Sequence, residues 1–195
     1  MNLQINDAMI PGTRLKKNDM GNVTGLEFLS KVFYISEGVM LSQIREVSGI
    51  DGSTLQNWTK RGWVANARLK KYDIDQVAHI LIINMLRSCL QLDRIDFLLH
   101  YINGRSGDKS DGIIRDSVLY DYICRILEKL GKRHSCSMAS IKEVVADQIS
   151  GYEEVVPGAR ERLAHALEII VVAYYAALIK RHSDELLTDL MSVAY

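Results

Sequence analysis

The chain has 195 residues, of which 48% are hydrophobic and 25% charged, with 24 basic and 24 acidic side chains. That composition excludes a disordered, collagen-like or disulfide-framed chain and suffices for a real buried core in one domain or two small ones. Zero net charge does not exclude a polyanionic partner, because the charge is unevenly placed. Residues 1–40 balance, residues 41–105 hold nine basic against six acidic groups, and residues 106–195 hold eleven against fourteen.

Cys89, Cys124 and Cys136 are odd in number and irregularly spaced, which fits small apolar residues in a reducing compartment. A cytoplasmic location is expected. Residues 1–24 are polar, with Lys16 and Lys17 but no apolar core of a secretory signal. They are expected to form a flexible N-terminal arm.

Helical periodicity dominates and strand-like alternation is scarce, so the class is mainly α. Leu26, Leu29, Val32 and Phe33 mark a first helix, with Gly38 as its left-handed stop. From Ser42 the pattern tightens. Ile44 and Val47 lie at i and i+3, Gly49 sits where a turn wants positive φ, and Ile50 plugs the angle. Ser53 is the expected cap of a second short helix on which Leu55 and Trp58 face the core.

That leaves Ser53, Thr54, Gln56, Asn57, Lys60 and Arg61 outside. Amide side chains at such spacing can read adenine edges, and Arg and Lys can read guanine or hold phosphates. Gly62 ends the helix. Ala65–Lys71 is the length of a two-stranded wing and carries Arg68, Lys70 and Lys71. Across residues 52–72 there is no acidic residue. A solvated charged face is the plainer explanation of such a run, and its position on a helix–turn–helix favours DNA.

Further on, Asp73 caps a helix carrying Val77, Ile80, Leu81 and Met85, and Leu92–Asn103 repeats the pattern with Ile95, Leu98, Leu99 and Ile102. Gly104–Gly112 reads as a linker. Val118–Leu130 is amphipathic and is expected to close at Gly131, and Ser137 caps the next helix. Pro157 opens a long helix to about Arg181, with a short final helix after Ser183. Its uncharged run Ile169–Ile179 is eleven residues, about half of what a membrane span needs. Burial in the domain or against a second subunit is expected instead.

The order of helix, turn, helix, Gly-aromatic, basic wing and Lys-x-Tyr resembles the DNA-binding domain of the mercury-resistance (Mer-type) regulators. Thr54, Leu55, Gln56, Trp58, Gly62 and Trp63, then Lys70 and Tyr72, carry the match. Gln56 stands where that superfamily has arginine. A closer resemblance is to a Gram-positive bacterial family known as domain of unknown function eighteen thirty-six, through Leu55–Val64 and Lys70-Lys71-Tyr72. It implies a Mer-like winged fold and a regulatory role.

The expectation is therefore a mainly α protein with a Mer-like winged helix-turn-helix over residues 25–104, a linker over 105–112, and a helical dimerisation or effector domain over 113–195. Its partners would be double-stranded DNA and a second copy, with an unknown small-molecule or protein effector and no membrane. The alternative is a helical interaction or effector-binding protein that does not bind DNA. No enzyme is expected. His134 and Cys136 lack a second pair at metal-ligand spacing, His79, His100 and His182 read as surface or helix-end residues, and Gly104–Gly107 lacks the lysine of a phosphate loop. No cofactor or metal is expected.

Overall fold

The computed structural model describes residues 8–34, 38–103, 112–133 and 137–193. Eight α-helices run in chain order: α1 (Gly25–Val32), α2 (Leu41–Ser48), α3 (Gly52–Lys60), α4 (Ile74–Leu86), α5 (Leu92–Asn103), α6 (Asp116–Lys132), α7 (Met138–Gln148) and α8 (Ala159–Val193). Two short strands, β1 (Val39–Met40) and β2 (Lys71–Tyr72), pair antiparallel with Val39 opposite Tyr72. The chain is mainly helical, as expected.

Helix α4 holds the middle of the packing. Ala78, Ile80, Leu81, Ile82 and Leu86 are at most 1% exposed, so this helix is apolar on nearly all sides, the pattern of a central helix. It lies against α6 and α8, and one buried cluster runs from Ile10 to Leu178. The two parts expected on either side of the linker thus share one core. Asp75, at the start of α4, fastens them further: it accepts from the Ser117 backbone N–H at 3.0 Å and from Arg115 at 2.9 Å. Burial works against its charge, yet these hydrogen bonds from Ser117 and Arg115 outweigh it and hold the carboxyl below its ordinary range. Residues 104–111, which contain most of the expected linker, lie outside the described residues.

The expected loose arm is, from residue 8 onward, a packed strap. Ile10 is fully buried, the Tyr120 hydroxyl donates to the Pro11 carbonyl at 2.7 Å, and the Asn84 amide donates to the carbonyls of Gly12 and Ser48. Gly12 has φ +75°, and a Cβ there would stand 2.3 Å from the Leu81 carbonyl oxygen. Only glycine lets the strap lie this close to α4. Sequence polarity concealed it because a few apolar residues, Ile10 above all, anchor an otherwise polar segment.

Several helix ends differ from expectation. Helix α1 ends at Val32 with Phe33 as its C-cap, and Gly38 is not in a left-handed conformation but backs onto Lys71 and Tyr72. Helix α6 passes through Gly131 to Lys132, since an exposed glycine near a helix end lowers stability without forcing a stop. Ser137 caps α7 by accepting from the Ser140 backbone N–H, and Asp73 caps α4 with Gln76 reciprocating. The break expected at Ser183 is absent: α8 is one helix of 35 residues. Nothing there can break it, and a Lys180–Asp184 pair at 2.6 Å spans the place.

Candidate nucleic-acid interface

Helices α2 and α3 meet at Gly49, whose φ of +73° lets its N–H bond the Arg45 carbonyl and end α2. Ile50, 1% exposed, fills the angle, and Ile44, Leu55 and Trp58 are buried beneath. Burying Leu55 and Trp58 contributes roughly 2–3 kcal/mol each. That burial fixes which way α3 faces. Trp58 is a core residue, with the Arg87 guanidinium 5.7 Å above its ring.

All nine expected site residues are at least partly solvent-accessible. Ser53, Gln56, Asn57, Lys60, Arg61, Arg68, Lys70 and Lys71 are exposed and Thr54 is half-buried. Their roles divide at once. The cap of α3 is Asp51, not Ser53: its carboxylate accepts from the Thr54 backbone N–H at 2.7 Å, from the Thr54 hydroxyl and from the Ser53 hydroxyl. The Ser53 and Thr54 hydroxyls are therefore engaged in the cap. These bonds, Ser53's first, hold the Asp51 carboxyl well below the usual carboxylate range. An acid at this helix end also complements the dipole, so the first turn of α3 is not where a phosphate is best received.

The other end of α3 is different. Asn57 accepts from Arg61 Nε at 3.3 Å, and the Arg61 guanidinium stands 5.1 Å over the Trp63 ring. Arg61 is thus oriented by an amide on one side and an aromatic face on the other. Trp63 is held in turn, its N–H donating to the Trp58 carbonyl and its carbonyl meeting His79 Nε2 at 3.0 Å. His79 also stands 3.4 Å from Asp116. It is a tie between this loop and α6, where the sequence pointed to a surface residue.

The basic segment that follows is not a self-contained two-stranded wing. Its second arm, β2, pairs with β1 just before α2, while the first arm makes only a single bridge, Arg68 with Lys71. Both backbone bonds of that bridge are 2.9 Å. Leu69 and Lys70 between them have φ of +49° and +64°, the two left-handed residues of a type I′ turn. Asn-Gly is the usual choice there, and branched or long side chains in this region cost about 1–2 kcal/mol each. Leu69 is 96% exposed at the tip. Gln76 holds the base of the segment by donating to the Ala65 and Asn66 carbonyls, and a Tyr72–Thr59 side-chain hydrogen bond ties β2 to α3.

Sequence reasoning missed Asp51 and the strained turn. Asp51 was readable: an Asp three residues before Thr54 is as good a cap as Ser53. The turn was not, because Leu-Lys is not a sequence signature of left-handed backbone.

The domain of unknown function DUF1836 matches residues 25–123. This chain belongs to that family. The match begins with α1 and ends inside α6, so it takes in the helix pair, the basic turn and the helices α4 and α5 behind them. The uncharacterized protein YkrK of Bacillus subtilis (strain 168) is 28% identical over 137 residues, 68% of this chain and 55% of that protein. The chain thus spans about half the length of this curated relative. No solved structure matches it significantly.

Among the described residues no group of three or more His, Cys, Asp or Glu is placed to hold a metal. His134 and Cys136 lie outside the described residues. Cys124 is fully buried, and burial pushes its thiol up to about 12, the behaviour of a small core residue.

Proposed function

We propose that this chain is a DNA-binding transcriptional regulator of the cytoplasm, a winged helix-turn-helix of Mer-like arrangement acting as a homodimer. One observation carries the reading: Gln56, Asn57, Lys60 and Arg61 on the exposed side of α3 adjoin a fixed turn that presents Arg68, Lys70 and Lys71 to solvent. In this reading the outer face of α3 lies in a major groove. Gln56 reads a base edge, Arg61 reads a base or holds a phosphate from its fixed position over Trp63, and the turn grips the flanking backbone. Ser53 and Thr54, bound to Asp51, position the helix and contact DNA little.

Binding to genomic fragments as a function of salt tests this. Replacing Lys70 and Lys71 by Ala is expected to weaken binding to every sequence and to flatten the log–log salt slope by about 2. Unchanged binding would remove the turn from the interface. Replacing Gln56 is expected to alter sequence preference instead.

A second reading, an effector-binding protein, is favoured by a cavity of about 340 Å³ between the strap, α4 and α8, lined by Thr13, Asn84, Ser88, Lys180, Arg181 and Asp184 among others. Such a mixed lining suits a small polar ligand. A ligand there would touch Asn84, which already clasps the strap and the end of α2. A small polar molecule that raises the melting temperature of a protein showing no salt-dependent binding to genomic fragments would favour this reading over the first.

A further inference from the structure

Seven of the fifteen large apolar side chains exposed among the described residues are on α8. Ile169, Val172, Ala176, Ile179, Ser183, Leu186 and Leu190 follow one another at alternating steps of three and four. At about 100° per residue these seven positions fall within a single stripe about 100° wide. Steps of three and four are the seam of one helix packed along another. The stripe is about 32 Å long at a rise of about 1.5 Å per residue, a size at which exposed apolar surface marks an interaction site.

The two ends of this stripe differ. Its first half lies in a groove of about 440 Å³ on the body, where Ile169, Val172 and Ala176 form the floor and Leu90, Cys89 and Met138 form the walls. Its second half stands free: every described residue from 179 to 192 is exposed. A walled groove admits a helix only if that helix has no domain wrapped around it. Within this chain, the far end of α8 is such a helix, but it is continuous with the groove's own floor and cannot fold back into it.

We propose that α8 pairs antiparallel with α8 of a second copy, about a two-fold axis near Arg181, so that each free end lies in the other copy's groove. The spacing suits this register. Leu190 falls opposite Val172, Leu186 opposite Ala176, and Ser183 opposite Ile179, so a large residue meets a smaller one in the groove and the polar serines sit beside the axis. A parallel pair would instead bring two walled grooves together and leave both filled by nothing.

The charges fit a helix partner better than a lipid one. By length and composition α8 is apolar enough to cross a membrane, yet more than half of its most apolar stretch is buried inside the protein. Its free end carries Lys180, Arg181, Asp184, Glu185 and Asp189, which a bilayer core would exclude. Lys180 lies beside the stripe near the axis, and its own Asp184 neutralises it at 2.6 Å.

This interface deepens the homodimer of the proposed function, but it rests on α8 alone and is tested without DNA. Sedimentation of the full chain across the micromolar range should show a dimer, and Leu186→Glu with Leu190→Glu should give a monomer with an unchanged far-ultraviolet dichroism spectrum. Both positions are exposed in the single chain, so neither substitution disturbs its core. Orientation is read by disulfide capture, with Cys89 and Cys136 replaced by Ser. Val172→Cys mixed with Leu190→Cys should cross-link, whereas Leu190→Cys alone should not. A wild-type monomer, a dimer that survives the double glutamate variant, or efficient self-linking of Leu190→Cys would each overturn the proposal. So would co-sedimentation of the wild type, but not that variant, with lipid vesicles. The Lys70→Ala, Lys71→Ala variant should remain dimeric, so loss of DNA binding and loss of the dimer are separable results.

Discussion

The C-terminal end of α3 and the free end of α8 are both exposed, but they are built oppositely. On α3 the side chains that face solvent are polar and several are already held: Arg61 by Asn57 and Trp63, Ser53 and Thr54 by Asp51. On α8 the outward residues Ile179, Leu186, Leu190 and Met191 are apolar, 46–66% exposed. A surface whose cations are oriented in advance loses little freedom when it meets phosphates or base edges. An apolar stripe gains only when water leaves it, and so calls for a partner of matching shape. The first surface is the one proposed above to meet DNA, and the second the one proposed to meet a helix.

The largest expected effect asks whether these surfaces are energetically independent. Trp58→Ala empties a fully buried site beneath α3 and should cost about 3–5 kcal/mol. Because one core joins α3 to α8 through α4, calorimetry should show a single transition at lower temperature. Two separate transitions would mean that the surfaces belong to separate folding units.

Next in size, Asn84→Ala deprives the Gly12 and Ser48 carbonyls of their donor and should cost about 1–3 kcal/mol. Hydrogen exchange should rise in the strap and at the end of α2, leaving the far end of α8 as it was. Substituting Leu69→Asn and Lys70→Gly should do the reverse and stabilise, by about 1–2 kcal/mol, since both residues suit the left-handed turn. The same variant should bind DNA less well, having lost a cation at the tip. If chemical denaturation shows no gain, the turn is not strained.

The smallest expected effect is a pH dependence. Asp75 is more ionised in the folded protein than its ordinary value allows, so its contribution is present in full above about pH 4. It is lost as pH falls through the lowered folded value. Asp75→Asn should therefore flatten the acid limb of stability against pH. Because its charged partner Arg115 is largely exposed, the change is modest, and an unaltered acid limb would show that Ser117 and Arg115 do not depend on its charge.

Local pattern in the sequence was enough for the mainly helical class, for the pair of helices around Gly49, for the inward facing of Leu55 and Trp58, and for the caps Asp73 and Ser137. Each depends on contacts within three or four residues, which a short window contains. The exposed positions on α3 follow from the same periodicity. What neighbours would do to those positions did not follow, because Asp51 and Ser53 are both good caps and only the folded turn selects between them.

Tertiary structure alone decided the rest. It seated the polar strap through Ile10 and Gly12, merged the two expected parts into one core through α4, and paired β2 with β1 across some thirty residues of chain. It also carried α8 on past Ser183 as one helix, half walled and half free. These outcomes depend on contacts between segments far apart in the chain. Hydrophobic periodicity shows that a face is apolar; only the fold shows whether another part of the same chain covers it.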